Sequence, residues 1–273
     1  MQKAPVVTFV DIDQVPPPRV ESRGALAQLL EVLARERIIL IFCSIRSRAQ
    51  IESTRQLFGV FHPFIAENGA AAFVPERYFG SDVENTRHIG GYHAIEFAPS
   101  YDTVVDTVRR VADRLGIGVL GFNDMSVEQV ARECGLSLLE ARLAKLREYG
   151  EPFRLLCANP VAERRLFRAL EAGGLTCRQG EGFHLASAAK GPQAAIAVLT
   201  TLYRAAFGSV LTAGVRDATG ATEIVPYVDA ALGSIVVEPD DPDPGVRWLE
   251  RIAGEAGAAR AIRAPVRSMR VAR

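Results

Sequence analysis

Apolar residues gather in short runs separated by longer stretches of helical periodicity. Val6-Val-Thr-Phe-Val10 is β-branched and aromatic, and a polar turn, Asp11-Ile-Asp-Gln14, with Pro16-Pro-Pro18 follows it. That pattern predicts a buried strand running into a loop. Leu26, Leu29, Leu30 and Leu33 then recur at i, i+3, i+4 and i+7, which predicts an amphipathic helix. A second strand is predicted over 38–42, a helix over 47–57 and a third strand over 64–66. Strand–helix–strand–helix–strand, with polar residues at each strand's carboxyl end, implies an open parallel α/β sheet.

The middle of the chain breaks this rhythm. A strand is expected over 93–97, and Val104, Val105, Val108 and Val111 mark a helix. Ser126 and Ser137 are placed to cap two short helices. A strand over 153–156, a helix over 160–172 with proline at its start, and strands at Cys177 and 183–185 complete an α+β unit. Gly90-Gly91 and 186–190 are the expected hinges. The first rhythm then resumes: a helix over 191–206, a strand over 210–213, a short helix over 222–228, a strand over 234–237 and a helix around Trp248. The expected division is therefore a core of 1–87 and 186–273, interrupted by an inserted domain over 88–185.

Charge narrows the classes. Lys+Arg and Asp+Glu both number 32, so the net charge is +0 and no global attraction to nucleic acid or an anionic membrane surface is expected. No apolar run is long enough to span a bilayer and no signal-peptide pattern opens the chain, which reads as cytoplasmic. Cys43, Cys134, Cys157 and Cys177 are scattered, with neither zinc spacing nor a disulfide framework. His62, His88 and His93 have no metal spacing and read as structural or surface residues.

Candidate chemistry gathers at strand ends. In an extended segment alternate side chains share a side, so Asp11 and Asp13 can face one pocket. One carboxylate can attack phosphorus and the other can protonate the leaving oxygen. A divalent cation would screen their repulsion. Ser44 ends the second strand, where a hydroxyl and backbone N–H groups can hold phosphate. Lys190 follows the inserted unit and carries a compact cation suited to phosphate.

The order Phe9-Val-Asp-Ile-Asp13, Phe42-Cys-Ser44, Lys190-Gly191 resembles the haloacid dehalogenase (HAD) superfamily, and the insert resembles the α+β cap of its Cof-like branch. Three further stretches are similar to mannosyl-3-phosphoglycerate phosphatases. They are Phe64-Ile-Ala-Glu-Asn-Gly-Ala-Ala71; Met125 to Ala131 through Ala144-Lys-Leu-Arg-Glu-Tyr-Gly-Glu-Pro-Phe153; and Gly182-Phe-His-Leu185. The resemblance implies a Rossmann-like core with an inserted cap. The implied activity is magnesium-dependent hydrolysis of a small sugar phosphate or glycerate-type phosphate through an aspartyl-phosphate. Asp11 would be the nucleophile, Asp13 the general acid/base, and Ser44 and Lys190 the phosphoryl-binding groups. Glu67, Asn68, Arg147, Glu148 and His184 would face the substrate.

Two departures matter. Gln14-Val15 replace the expected Gly-Thr, and Val215 stands where the first metal carboxylate of the fourth signature belongs. Asp217 is then the nearest acid for magnesium, beside Asp11 and the Asp13 carbonyl. Two alternatives to the hydrolase stay open: a sugar-phosphate-binding module, or different chemistry in the retained pocket. An interaction protein using the cap surface is a third.

Overall fold

The computed structural model describes residues 3–13, 15, 17–157, 159–180, 182–216, 223–234 and 241–263. Among them the chain forms β1 (Val6–Asp11), α1 (Arg23–Arg35), β2 (Ile38–Cys43), α2 (Arg48–Phe58), β3 (Phe64–Ala66), β4 (Ala71–Pro75), β5 (Arg87–Ile89) and β6 (Tyr92–Glu96). It continues with α3 (Tyr101–Leu115), β7 (Val119–Gly121), α4 (Val127–Cys134), α5 (Leu138–Lys145), β8 (Gly150–Leu155), α6 (Pro160–Ala172), β9 (Thr176–Arg178) and β10 (His184–Ser187). The last elements are α7 (Gln193–Phe207), β11 (Leu211–Arg216), β12 (Ala230–Ser234) and α8 (Pro244–Arg263).

The chain divides into two compact units, Met1–Ile41 with Thr200–Arg273 and Phe42–Leu199. The first unit carries β12, β11, β1 and β2 side by side in that order. β1 and β12 each run parallel to β11, with Phe9 opposite Gly214 and Val215 opposite Leu232. Val6, Val7, Phe9 and Val10 are buried, as expected of a central parallel strand. α8 packs on β1, β11, β12 and α1, burying Trp248, Leu249 and Ile252.

In the second unit the end of β2 pairs parallel with β3, and β4, β6 and β5 follow. Here the sheet departs from the all-parallel expectation. Residues 67–70 alone separate β3 from β4, and a parallel return needs a crossover of roughly a dozen residues. β4 therefore runs antiparallel to β3, and β6 antiparallel to β4. Gly90-Gly91, expected as a hinge, is the two-residue turn between β5 and β6. Its φ values of 57° and 82° suit a type I′ hairpin. A separate four-stranded sheet, β7-β8-β10-β9, is antiparallel throughout. Its core joins Val104, Val108 and Val111 of α3 to Phe153, Leu166 and Leu170.

The serine caps form as read. Ser126 with Gln129 and Ser137 with Glu140 make capping boxes, and Ser47 with Gln50 makes a third. The helix expected over 222–228 contracts to a single 3₁₀ turn at Val225–Tyr227, where Pro226 lacks the N–H that an α-helix needs. β12 covers Ala230–Ser234; of the strand expected over 234–237, residues 235–237 fall outside the described residues.

Candidate active site

In the first unit, Asp11 is the last residue of β1 and is exposed, Ile12 is fully buried, and Asp13 is half-buried. Burying Ile12 turns its two neighbours to the opposite side. The Asp13 N–H donates to Asp11 Oδ1 at 2.8 Å. This contact from residue i+2 fixes the carboxylate against its own turn. The Val15 N–H closes the turn on the Ile12 carbonyl at 3.2 Å. Val215 is buried on β11, one residue past Gly214, the partner of Phe9. Asp217 lies outside the described residues. Among the described residues no group of three His, Cys, Asp or Glu is arranged to hold a metal. The oxygen donors of Asp11 and Asp13 suit magnesium, which keeps several waters and needs one or two carboxylates.

The second unit holds the other expected residues. Ser44 is buried just past β2, and its hydroxyl oxygen accepts the Arg46 N–H at 2.9 Å. The Ser44 N–H donates to Ile65 O, and the Asn68 N–H donates to Ser44 O at 2.9 Å. Glu67 and Asn68 both occupy the left-handed region, with φ of 48° and 58°. This conformation suits asparagine but strains a glutamate. Gly69 follows at φ 84°, and a Cβ there would lie 2.2 Å from Gly191 O. The 67–69 turn therefore lies against Gly191, next to Lys190. The Lys190 side chain is exposed, and its carbonyl accepts from Gln193 Nε2.

Glu67 is 2% exposed. Its Oε1 accepts the Glu148 N–H at 2.7 Å and its Oε2 accepts the Tyr149 N–H at 3.3 Å. Arg147 Nε lies 3.3 Å from Oε2, an ion pair without an aligned hydrogen bond. Burial pushes the Glu67 carboxyl upward, while Arg147 and the backbone N–H groups pull it back toward the ionised form. Glu148 is likewise raised by burial and drawn down by Arg48, whose Nε donates to it at 3.1 Å. Arg48 was not anticipated as part of this cluster. A cation in the first turn of α2 opposes the helix dipole, which hints at a dedicated partner.

His184 stands apart from that cluster. On β10 its ring packs against Phe153 and Phe167, with centroids 5.7 and 5.0 Å away. Its buried Nδ1 has no hydrogen-bond partner. The second unit thus brings together Ser44, Glu67, Asn68, Arg147 and Glu148, sets Gly191 against their turn, and leaves His184 among aromatics.

No family model matches the chain. A glucosyl-3-phosphoglycerate/mannosyl-3-phosphoglycerate phosphatase from Methanococcoides burtonii is 32% identical over 230 residues, 84% of this chain and 84% of that protein. A phosphatase of the same name from Persephonella marina is 27% identical over 204 residues, 74% of each chain. A phosphatase of the haloalkanoate (HAD) superfamily from Bacteroides thetaiotaomicron shares the fold, with a TM-score of 0.53 at 14% identity over 92% of this chain and 96% of that one. The carboxylate pair at the end of β1, the fold and this extent of identity agree: the chain has the fold of the haloalkanoate (HAD) phosphatases, belongs to the glucosyl-3-phosphoglycerate/mannosyl-3-phosphoglycerate phosphatase family and is a phosphatase.

Proposed function

We propose that this phosphatase hydrolyses the phosphomonoester of a hexosyl-3-phosphoglycerate, a small sugar phosphate carrying a glycerate group. The observation that carries the reading is the Asp11-Ile12-Asp13 geometry, with Ile12 buried and the two acids turned to the other side. Asp11 attacks phosphorus and the ester P–O bond breaks, with Asp13 giving its proton to the leaving oxygen. Water then attacks the aspartyl-phosphate and passes a proton to Asp13, and inorganic phosphate leaves with Asp11 restored. Ser44 and Lys190 bind the phosphoryl oxygens. Asp11, the Asp13 carbonyl and Asp217 are the residues that would hold magnesium, which would supply charge neutralisation at the phosphoryl group.

We assign the inserted cap to the part of the chain that carries the four-stranded sheet. Because β6 pairs with β4, its first boundary is placed after Glu96 rather than at 88. Asn68 and His184 are assigned to the substrate side.

The test is phosphate release from mannosyl- and glucosyl-3-phosphoglycerate, with magnesium and with EDTA. The expected result is magnesium-dependent release that Asp11→Asn abolishes. A second reading is favoured by buried Val215, which gives no carboxylate to a cation. It predicts that these compounds raise the melting temperature without turnover.

A further inference from the structure

Three consecutive carbonyls of the loop after β2 are each held by a different donor. Ser44 O accepts the Asn68 N–H at 2.9 Å, and Arg46 O accepts the Glu67 N–H at 3.2 Å. Between them, Ile45 O accepts from the Arg147 guanidinium at 2.8 Å, across 102 residues of sequence. The Ser44 hydroxyl is tied into the same loop by the Arg46 N–H. Two of the three donors come from the 67–68 turn. The third is held against that turn by the Glu67 carboxylate, which pairs with Arg147 and caps the two N–H groups that follow it. The Arg147 side chain is only 8% exposed and that of Glu67 1%. Side chains so enclosed, and so occupied with protein partners, are poorly placed to meet a substrate. They are well placed to fix the path of the Ser44 loop.

The neighbours of Arg147 extend the clamp. The Glu148 side chain is taken by Arg48, which also binds Glu52 at 2.9 Å. The Tyr149 hydroxyl donates to Glu96 at 2.7 Å, and Arg87 donates to the same Glu96 oxygen at 2.8 Å. The Tyr101 N–H donates to Glu148 O at 2.7 Å. Each residue of 147–149 is therefore tied by its side chain to another element of the same unit.

We propose that Glu67 and Arg147 are a positioning pair: the carboxylate aims the guanidinium at the Ile45 carbonyl, and this sets the loop that presents the Ser44 hydroxyl. The proposal rests on Ser44 binding the phosphoryl group. It differs from a direct substrate contact, because the pair acts through the Ile45 peptide.

Two measurements on the full chain test it. The first is hydrogen exchange over residues 44–46, which requires no activity and so stands apart from the phosphatase reading. Arg147→Met should speed exchange there by about tenfold or more, because the carbonyl clamp is lost, while leaving β1 unchanged. Arg147→Lys, which retains a donor and a charge, should restore most of the protection. The second is steady-state kinetics on mannosyl-3-phosphoglycerate. Arg147→Met should lower kcat by about tenfold or more, since misplacement by about an ångström is costly, with KM within about threefold. Should Arg147→Met fail to fold, the nearly isosteric Glu67→Gln, which keeps one acceptor, carries both measurements. Unchanged exchange over 44–46 would overturn the positioning role even in a protein with no turnover. A raised KM at unchanged kcat would overturn it in favour of direct substrate contact.

Discussion

Two sets of carboxylates occupy this molecule under opposite conditions. At the end of β1, Asp11 is exposed and its orientation comes from a local contact two residues away. In the second unit, Glu67 and Glu151 are each 2% exposed. Glu151 accepts the Tyr101 hydroxyl at 2.5 Å and the Asn123 N–H at 3.0 Å, as Glu67 accepts two backbone N–H groups. The acids suited to attack and proton transfer are those the fold has left near water. The buried ones are consumed in holding chain segments together, and burial pushes both carboxyls upward. The two kinds of carboxylate differ in burial and in the reach of the contacts described, which residue type alone does not reveal.

The sharpest way to break this contrast is to neutralise one acid of each kind. Asp11→Asn should abolish phosphate release and Asp13→Asn should lower it by on the order of a hundredfold, if the proposed nucleophile and general acid are these two groups. Both variants should melt close to the unmodified protein, because Asp11 is exposed, Asp13 is half-buried with Asn nearly isosteric, and substitutions away from tight packing rarely cost more than about 0.5 kcal/mol. Glu67→Ala should do the reverse to stability. It leaves Arg147 uncompensated and two N–H groups unpaired, a loss of about 3 to 5 kcal/mol by denaturant unfolding. If Glu67→Ala proves as stable as Asp11→Asn, the distinction fails.

A smaller effect comes from His62, whose Nδ1 lies 2.6 Å from the Tyr78 hydroxyl. Burial and Arg55 push its pKa down to about 4 from 6.5. The unfolded chain therefore binds a proton before the native one does. Stability from this group is intact above pH 6.5 and declines as pH falls toward 4. The decline should reach about 1 kcal/mol by about pH 5.5, and His62→Asn should flatten it. A change of similar size is Ser137→Ala, which opens an exposed capping box and should cost about 1 kcal/mol. Thermal denaturation at matched pH measures both.

What could be read from the sequence follows the range of the interactions. The boxes at Ser126 and Ser137 span three residues, so serine and its partner at N3 lie in one window. The α6 range, Pro160–Ala172, carries its proline signal at the start. The end of β1 was legible because alternation about Ile12 is also local. β4 escaped notice: Ala71-Ala-Phe-Val-Pro75 is short and alanine-rich, and its antiparallel course follows only from the tight 67–69 turn. The Glu67, Arg147 and Glu148 cluster could be singled out as residues but not as partners of one another. Nothing near Glu67 in sequence announces that its carboxylate will meet the N–H groups of Glu148 and Tyr149, 81 and 82 positions away. Nor does anything near Ile45 announce that Arg147 will take its carbonyl.

Gly69 carries a consequence for how this chain can change over generations. Its neighbour across the gap is the main chain at Gly191 and Pro192, which cannot rotate aside as a side chain can. Gly80 has a nearly equal left-handed φ and nothing within 4 Å of a Cβ, so drift there is limited by backbone strain alone. At 69 even a methyl group would push the turn bearing Glu67 and Asn68 away from the strand of chain that bears Lys190. A Cβ at Gly24, Gly254 or Gly257 would meet no other atom within 4 Å, but at position 69 the main chain itself stands in the way.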